Sequence, residues 1–302
     1  MITDIKKMQR VGAHLMKIAV VTDSTAYLSQ EQIAENDIYV IPIPVIIDNH
    51  VYKEGVDIST EEFYQKLRTS QTFPSTSQPP IGEMIKFYEE LGKKGYDAVI
   101  SIHLAASISG FVQSLKSMAG EIKETKVYPF DSKITVMLMG NMVIAAARMA
   151  KKGADVETIL EHLRKLRDTT NECFIVDDLQ NLVRGGRLSN ASAFIGSVLK
   201  IKPLLTFDRK TNKIIAFDKV RSMKKAIKRA ESVFDKEQQK VSYPLRLIVI
   251  HANDKNAALL WQKELAKKYP DYQVDLSYIG PVVGVHLGEK ALALAWMKDI
   301  DK

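Results

Sequence analysis

Five short segments carry side chains suited to holding a small anion. Thr22-Asp23-Ser24-Thr25 directly follows an apolar run. Phe73-Pro74-Ser75-Thr76-Ser77-Gln78-Pro79-Pro80 sets three consecutive hydroxyls between prolines, which stiffen the loop that presents them. His103-Leu104-Ala105-Ala106-Ser107-Ile108-Ser109-Gly110 follows a second apolar run and precedes a helical pattern. A hydroxyl from Ser107 or Ser109 beside free backbone N–H groups would bind a carboxylate or phosphate. Arg184-Gly185-Gly186-Arg187 places two guanidinium forks around a flexible turn, and such forks suit the same anions. Last, Gly280-Pro281-Val282-Val283-Gly284-Val285-His286-Leu287-Gly288 puts a lone histidine in an apolar segment whose glycines let backbone approach a ligand. Each has a plainer reading: Asp23 or Ser24 as a turn or cap residue, Thr76 or Ser77 as a helix cap, the arginines as a surface turn, His286 as a core histidine.

The elements that must position these groups alternate in the first half. Ile18 to Thr22 is a continuous apolar run, as expected of a strand buried on both faces. Ser29-x-x-Gln32 and Ser59-x-x-Glu62 are capping-box signals for two helices. Ile38 to Ile47 is a second apolar run, and its Pro42 and Pro44 suit a strand edge or exit. Thr69 to Pro80 reads as a loop. Helices are expected over residues 81–92 and 109–118, strands over 98–103 and 126–130, and a long methionine-rich core helix over 135–152. This rhythm predicts an α/β arrangement, a mostly parallel sheet flanked by helices.

After Gly153 the pattern changes. It gives a helix at 155–168, a strand at 173–176, a helix at 191–199, and a hairpin of 204–207 with 213–217. A basic helix, a strand at 245–251, a helix at 256–268 and a strand at 273–278 follow. The expectation is an α+β second domain with a mixed or antiparallel sheet. The chain thus divides into an extension (1–15), an α/β domain (16–165) and an α+β domain (166–302).

The chain has 302 residues and a single cysteine, so it is no disulfide scaffold and has no cysteine-built metal site. Cys173, beside Phe174-Ile175-Val176, reads as a buried structural thiol. Net charge is +7, which raises nucleic acid or an anionic membrane as partners. In the densest basic run, Arg221 to Arg229, the residues Met223, Ala226, Ile227 and Ala230 make one helical stripe, so the lysines form its outer face. No recognition-helix or aromatic stacking pattern supports nucleic acid. There is no run of 18 apolar residues and no signal-like core at the N-terminus, so a cytoplasmic setting is expected. No phosphate loop, dinucleotide turn, zinc-protease motif or nucleophile elbow is present, and the six histidines show no metal-ligand spacing, so no resident cofactor or metal is expected.

Taken in order, the segments resemble the DegV family, which includes the fatty-acid-binding subunits of bacterial fatty acid kinase. The carriers are Ile18 to Ala26, Gly55-Val56-Asp57-Ile58, Thr76-Ser77-Gln78-Pro79, Ile108-Ser109-Gly110, Asp131-Ser132, Arg184 to Arg187, Ile201-Lys202-Pro203 and Gly280 to Gly288. Each alone is weak; the ordered set, from Met16 nearly to the C-terminus, is specific.

The resemblance implies two domains with a long-chain fatty acid buried between them. Its carboxylate would sit at Thr76 and Ser77, near Ser107, Ser109 and His286, with Asp23 and Ser24 as further candidates. A separate kinase catalytic subunit would phosphorylate that carboxylate for phospholipid synthesis, with Arg184 and Arg187 contacting the kinase or the transferred phosphoryl group. A transient docking on an anionic membrane surface fits the positive charge.

The family's serine turn, Leu-Ser-Ser-x-Leu-Ser-Gly-Thr, is here Leu104-Ala105-Ala106-Ser107-Ile108-Ser109-Gly110-Phe111, and its His-x-Gly-Pro-Gly ending is His286-Leu287-Gly288-Glu289-Lys290. Fewer donors would then hold the carboxylate, or Ser107 or Ser109 would do so. The alternative is a self-sufficient enzyme or binding protein for a small carboxylated or phosphorylated ligand.

Overall fold

The computed structural model describes residues 16–177, 179–191 and 201–302. The expected N-terminal extension lies outside these residues, as does nearly all of the helix expected at 191–199. In chain order the elements are β1 (Ile18–Asp23), α1 (Gln30–Asn36), β2 (Ile38–Ile41), β3 (Pro44–Ile47), β4 (His50–Lys53), α2 (Thr60–Thr69), β5 (Ser75–Thr76), α3 (Ile81–Lys93), β6 (Ala98–His103), α4 (Phe111–Met118), β7 (Lys126–Asp131), α5 (Val136–Lys151) and α6 (Val156–Arg167). They continue with β8 (Asn171–Ile175), α7 (Gln180–Arg184), β9 (Lys202–Phe207), β10 (Ile214–Val220), α8 (Met223–Gln238), β11 (Leu245–His251), α9 (Lys255–Lys268), β12 (Gln273–Tyr278), α10 (Pro281–Leu287) and β13 (Leu292–Lys298).

Three sheets form among the described residues. β2-β1-β6-β7 is wholly parallel. β10-β9-β8-β13-β11-β12 is antiparallel except for its β11–β12 edge. β4-β3-β5 is a small antiparallel sheet. The α/β reading and the mixed second sheet therefore hold. Both capping boxes form, with Ser29 and Ser59 each accepting from the N3 amide while the N3 side chain returns the bond.

The run Ile38 to Ile47 divides at Pro42: β2 leaves the edge of the parallel sheet there, and Pro44 opens β3 in another sheet. Within the expected loop 69–80, Ser75 and Thr76 form β5, which pairs with β3. The helix expected from Ser109 begins at Phe111.

Helix α5 is apolar all round because neighbours bury it on several sides: it packs on β1, β6 and β13 and on α6. Its first twelve residues, Val136 to Ala147, are buried, Met137, Met139 and Met142 among them. Strand β13, unmarked by any local signal in the sequence, is central to the six-stranded sheet. Its side chains alternate between two cores. Leu292, Leu294 and Trp296 face α8 and α9, while Ala293, Ala295 and Met297 face the core shared with the parallel sheet. Two alanines on that inner face leave room beneath α5. The basic helix α8 buries Ala226, Ala230 and Phe234 and exposes Lys224, Lys225 and Lys228, as its stripe predicts. Cys173 is buried, and burial pushes its thiol up to about 12, so it is an inert core group. Among the described residues no helix is long and apolar enough to cross a membrane.

Candidate functional site

A cavity of about 310 Å³ lies between the inner face of the six-stranded sheet and the start of α5. Phe174, Phe207, Ile250, Ala293 and Ala295 line it from the sheet, and Ile134, Thr135, Val136 and Leu138 from the α5 side. Val136, the first residue of α5, has φ of +57°, a conformation that costs a β-branched residue about 1–3 kcal/mol. That strain sits in the cavity wall.

The polar end of the cavity is assembled from four distant elements. Strand β5 is held by the pairing Val45↔Thr76, and the Ser77 amide donates to the Pro44 carbonyl at 3.1 Å. This fixes Thr76 opposite α10, where its hydroxyl lies 3.1 Å from His286 Nε2. His286 Nδ1 is buried with no hydrogen-bond partner among the described residues. A buried N–H without an acceptor costs more than a bare ring nitrogen, so we place the proton on Nε2, donating to Thr76 Oγ1. The Thr76 hydroxyl proton then remains free to point into the cavity. Burial, with the nearby Arg187 charge, pulls His286 down to about 4, so the ring is neutral at physiological pH.

Ser109 and Arg187 complete this end. The anion site expected at the serine turn differs in detail. The amides of Ile108 and Ser109 both donate to the Ala105 carbonyl at 3.1 Å, and the Phe111 amide donates to Ser109 Oγ at 3.3 Å. Those three N–H groups are therefore occupied, and the Ser109 hydroxyl proton is among the donors the turn can still offer. Arg187 Nε donates to the Ile108 carbonyl at 3.2 Å and Nη1 to the Gly185 carbonyl, so its fork is already tethered to the rim.

Thr76, Ser77, Ser109, Arg187 and His286 thus meet at one cavity. Four other sequence candidates do not. Ser107 is exposed, and its hydroxyl accepts from Asn212 at 3.3 Å. Arg184 is exposed, with its guanidinium 5.5 Å from the Phe73 ring centroid. Asp23 and Ser24 line a second cavity of about 600 Å³. Asp23 is fully buried, and its carboxylate takes four bonds from protein: from the Thr25 amide and hydroxyl, from His103 Nδ1 and from the Leu104 amide.

Several residues that shape the site escape the sequence analysis. Glu54 anchors α10: its carboxylate accepts from the Val282 amide at 2.8 Å, from the Tyr27 hydroxyl at 3.2 Å and from the Ser24 hydroxyl. The Tyr64 hydroxyl donates to the Ile279 carbonyl at 3.0 Å, just ahead of the same helix. Gly284 is required there, because a Cβ would lie 2.7 Å from Phe63 Cε1. The altered ending also has a structural role. Glu289 pairs with Arg68 of α2 through two nitrogens, and Lys290 adopts φ of +65° where the family pattern carries glycine. Phe111, in place of threonine, packs against His103 with centroids 4.3 Å apart and ring planes tilted by 58°.

Burial pushes the Glu54 carboxyl up to about 7, against the bonds from Ser24 and Val282 that favour its charge. A carboxyl that binds its proton more tightly in the folded state contributes stability below its ordinary value of 4.5. That contribution is lost as pH rises through about 7. Neutral His286 acts in the opposite sense between about 4 and 6.5, so the difference between variants is the informative quantity. The unfolding free energy of wild type minus that of Glu54→Gln should fall by about 1–3 kcal/mol as pH rises from 4.5 to 7. Urea unfolding at a series of pH values measures it; a flat difference rejects the assignment.

A family model described as "Uncharacterised protein, DegV family" matches residues 17–299. Protein DegV of Bacillus subtilis is 45% identical over 268 residues, spanning 88% of this chain and 94% of its own. A DegV domain-containing protein of Listeria innocua is 44% identical over 266 residues, 88% of this chain and 93% of its own. Among solved structures, DegV from Bacillus subtilis, described as a fatty acid binding protein, superposes with a TM-score of 0.85 at 44% identity over 94% of this chain and 100% of that one. A DegV family protein from Thermus thermophilus, described by its fatty acid binding, gives 0.85 at 28% identity over 94% and 100%.

Proposed function

The chain belongs to the DegV family, and from that premise we propose that it binds a long-chain fatty acid in the cavity beneath α5 and presents the carboxylate to a kinase subunit. One observation carries the reading: a cavity walled by apolar side chains ends in hydroxyl and imidazole groups that have hydrogen-bonding capacity to spare. Each buried methylene contributes about 0.8 kcal/mol, while a buried carboxylate without partners would cancel much of that gain. Thr76 and Ser109 supply hydroxyl donors, neutral His286 orients Thr76, and Ser77 lines the same end. At about 310 Å³ the cavity is near the lower end of the range for small-ligand pockets.

None of these groups needs to be a nucleophile. A fatty acid oxygen would attack the γ-phosphoryl group of a nucleotide held, with its metal, by the partner. Arg187 at the rim and exposed Arg184 would meet that partner or the phosphoryl group in flight. The exposed lysines of α8 suit a transient contact with anionic lipid, in a cytoplasmic setting.

Protein purified without added lipid should carry a stoichiometric fatty acid, seen by native mass spectrometry and identified after organic extraction. An empty cavity, or one loaded with nucleotide, overturns the reading. Loaded protein mixed with ATP and a fatty acid kinase catalytic subunit should form acyl phosphate, trapped as the hydroxamate. ATP turnover by this chain alone would instead favour a self-sufficient enzyme.

A further inference from the structure

We propose that Glu172 selects the chain of the bound acid, and that the preferred ligand is a long-chain acid carrying a hydroxyl group along its hydrocarbon, held by the Glu172 carboxyl. The inference rests on the fatty-acid reading and deepens it. Glu172 lies on β8, on the same face as Phe174 and opposite Ala295 of β13, and it enters the cavity wall among Phe174, Phe207 and Ala295. A carboxyl in a wall built to hold hydrocarbon is costly unless its oxygens find donors. Oxygen Oε1 has two: the Phe207 amide at 2.7 Å and the Thr206 hydroxyl at 2.9 Å. That explains one half of the group structurally, since the β8–β9 pairing stops at Phe174↔Leu205 and leaves Phe207 without a paired residue on β8. Oxygen Oε2 accepts from none of the described residues. Fastening β9 needs one acceptor, and the second is surplus to it.

Among the described residues no hydrogen bond links Glu172 to Thr76, Ser109, Arg187 or His286, and the residues around it in the wall are the apolar Phe174, Phe207 and Ala295. A ligand held by its carboxylate at Thr76 and His286 therefore meets Glu172 along its chain. A hydroxyl serves either protonation state: it donates to the ionised carboxylate and accepts from the neutral acid. Burial pushes the carboxyl up to about 7, so both forms are available near neutral pH.

Displacement of a fluorescent acyl probe measures Kd for stearic acid and for stearic acids bearing one hydroxyl at successive carbons. Wild type should prefer one hydroxyl position over the unsubstituted acid by roughly tenfold, and Glu172→Met should lose that preference while still binding stearic acid. A flat profile in wild type, or a preference retained in Glu172→Met, overturns the inference and leaves the fatty-acid reading standing. Failure of wild type to bind any of these acids overturns both. Should Glu172→Met not fold, the wild-type profile decides alone.

Discussion

Asp23→Ala is expected to lower the unfolding free energy by about 3–5 kcal/mol, the cost of stripping a buried partner from an otherwise paired group. The carboxylate accepts from His103 Nδ1 at 3.0 Å, and both residues are wholly buried. It also accepts from the Leu104 amide at 3.1 Å, the first residue of the serine turn, and caps the short 3-10 turn Ser24–Ala26 through the Thr25 amide at 3.0 Å. The variant takes the acceptor from four buried donors, the Thr25 amide and hydroxyl, His103 Nδ1 and the Leu104 amide. Asp23→Asn keeps one acceptor and should lose less. Urea unfolding measures both, and hydrogen exchange at the Leu104 amide should quicken in each. A loss below about 1 kcal/mol for Asp23→Ala would show that the pair is dispensable.

The same cluster lines up a serine, a histidine and an aspartate as buried, hydrogen-bonded neighbours. Ser101 Oγ lies 2.7 Å from His103 Nε2, and His103 Nδ1 lies 3.0 Å from Asp23 Oδ2. The Tyr88 hydroxyl lies 2.8 Å from the same Ser101 oxygen, so the donors can run one way from Tyr88 to Asp23. Ser101 and His103 project from one face of β6, two residues apart. Both are fully buried, and Phe111 covers the imidazole. From Asp23 the hydrogen bonds continue through Thr25 to Thr135, in the cavity wall. The cluster thus ties β1, β6 and the start of α5 to the cavity they position.

Local signals in the sequence were enough for much of this architecture. The buried runs of β1 and β6, both capping boxes and the β9–β10 hairpin each depend on residues within a few positions of one another. What escaped depends on distance or on conflicting propensities. Helix α10 begins with Pro281 at its first turn, a true start signal, but Val282, Val283 and Val285 are poor helix formers and two glycines flank them. Strand β5 is two residues long and exists only because β3 pairs with it. Strand β13 alternates without polar residues until its end, because both faces are buried.

At the site, the hydroxyl turns and His286 were visible as types, while the meeting of Thr76 with His286 spans 210 residues and had no local sign. Glu54 and Glu172 were missed because an isolated carboxylate normally marks a surface. Only the period of β8, which sets Glu172 beside Phe174 on one face, carried a hint.

Replacing His286 with leucine should weaken fatty-acid binding by roughly 10- to 100-fold, the equivalent of about 1.5–3 kcal/mol for a hydrogen-bond path ending on a charged group. With the ring proton on Nε2, the imidazole orders the Thr76 hydroxyl by donating to it, and the hydroxyl proton goes to the carboxylate. Leucine is apolar and of comparable size, so the helix keeps its packing while Thr76 loses its orienting partner. The loss should therefore appear for the acid and be nearly absent for the corresponding methyl ester or alcohol, whose head groups carry no charge. Gly185→Ala reaches the same point without replacing either residue. At Gly185 φ is −73°, which alanine adopts freely, but the added Cβ would sit 2.5 Å from His286 Nδ1 and must push the ring away from Thr76. Both variants should share the acid-selective loss with midpoints of unfolding close to wild type. If acid and ester weaken equally, His286 is filling space and the carboxylate is held elsewhere. Because the ring is already neutral well above pH 4, the interaction is one of aligned dipoles rather than an ion pair.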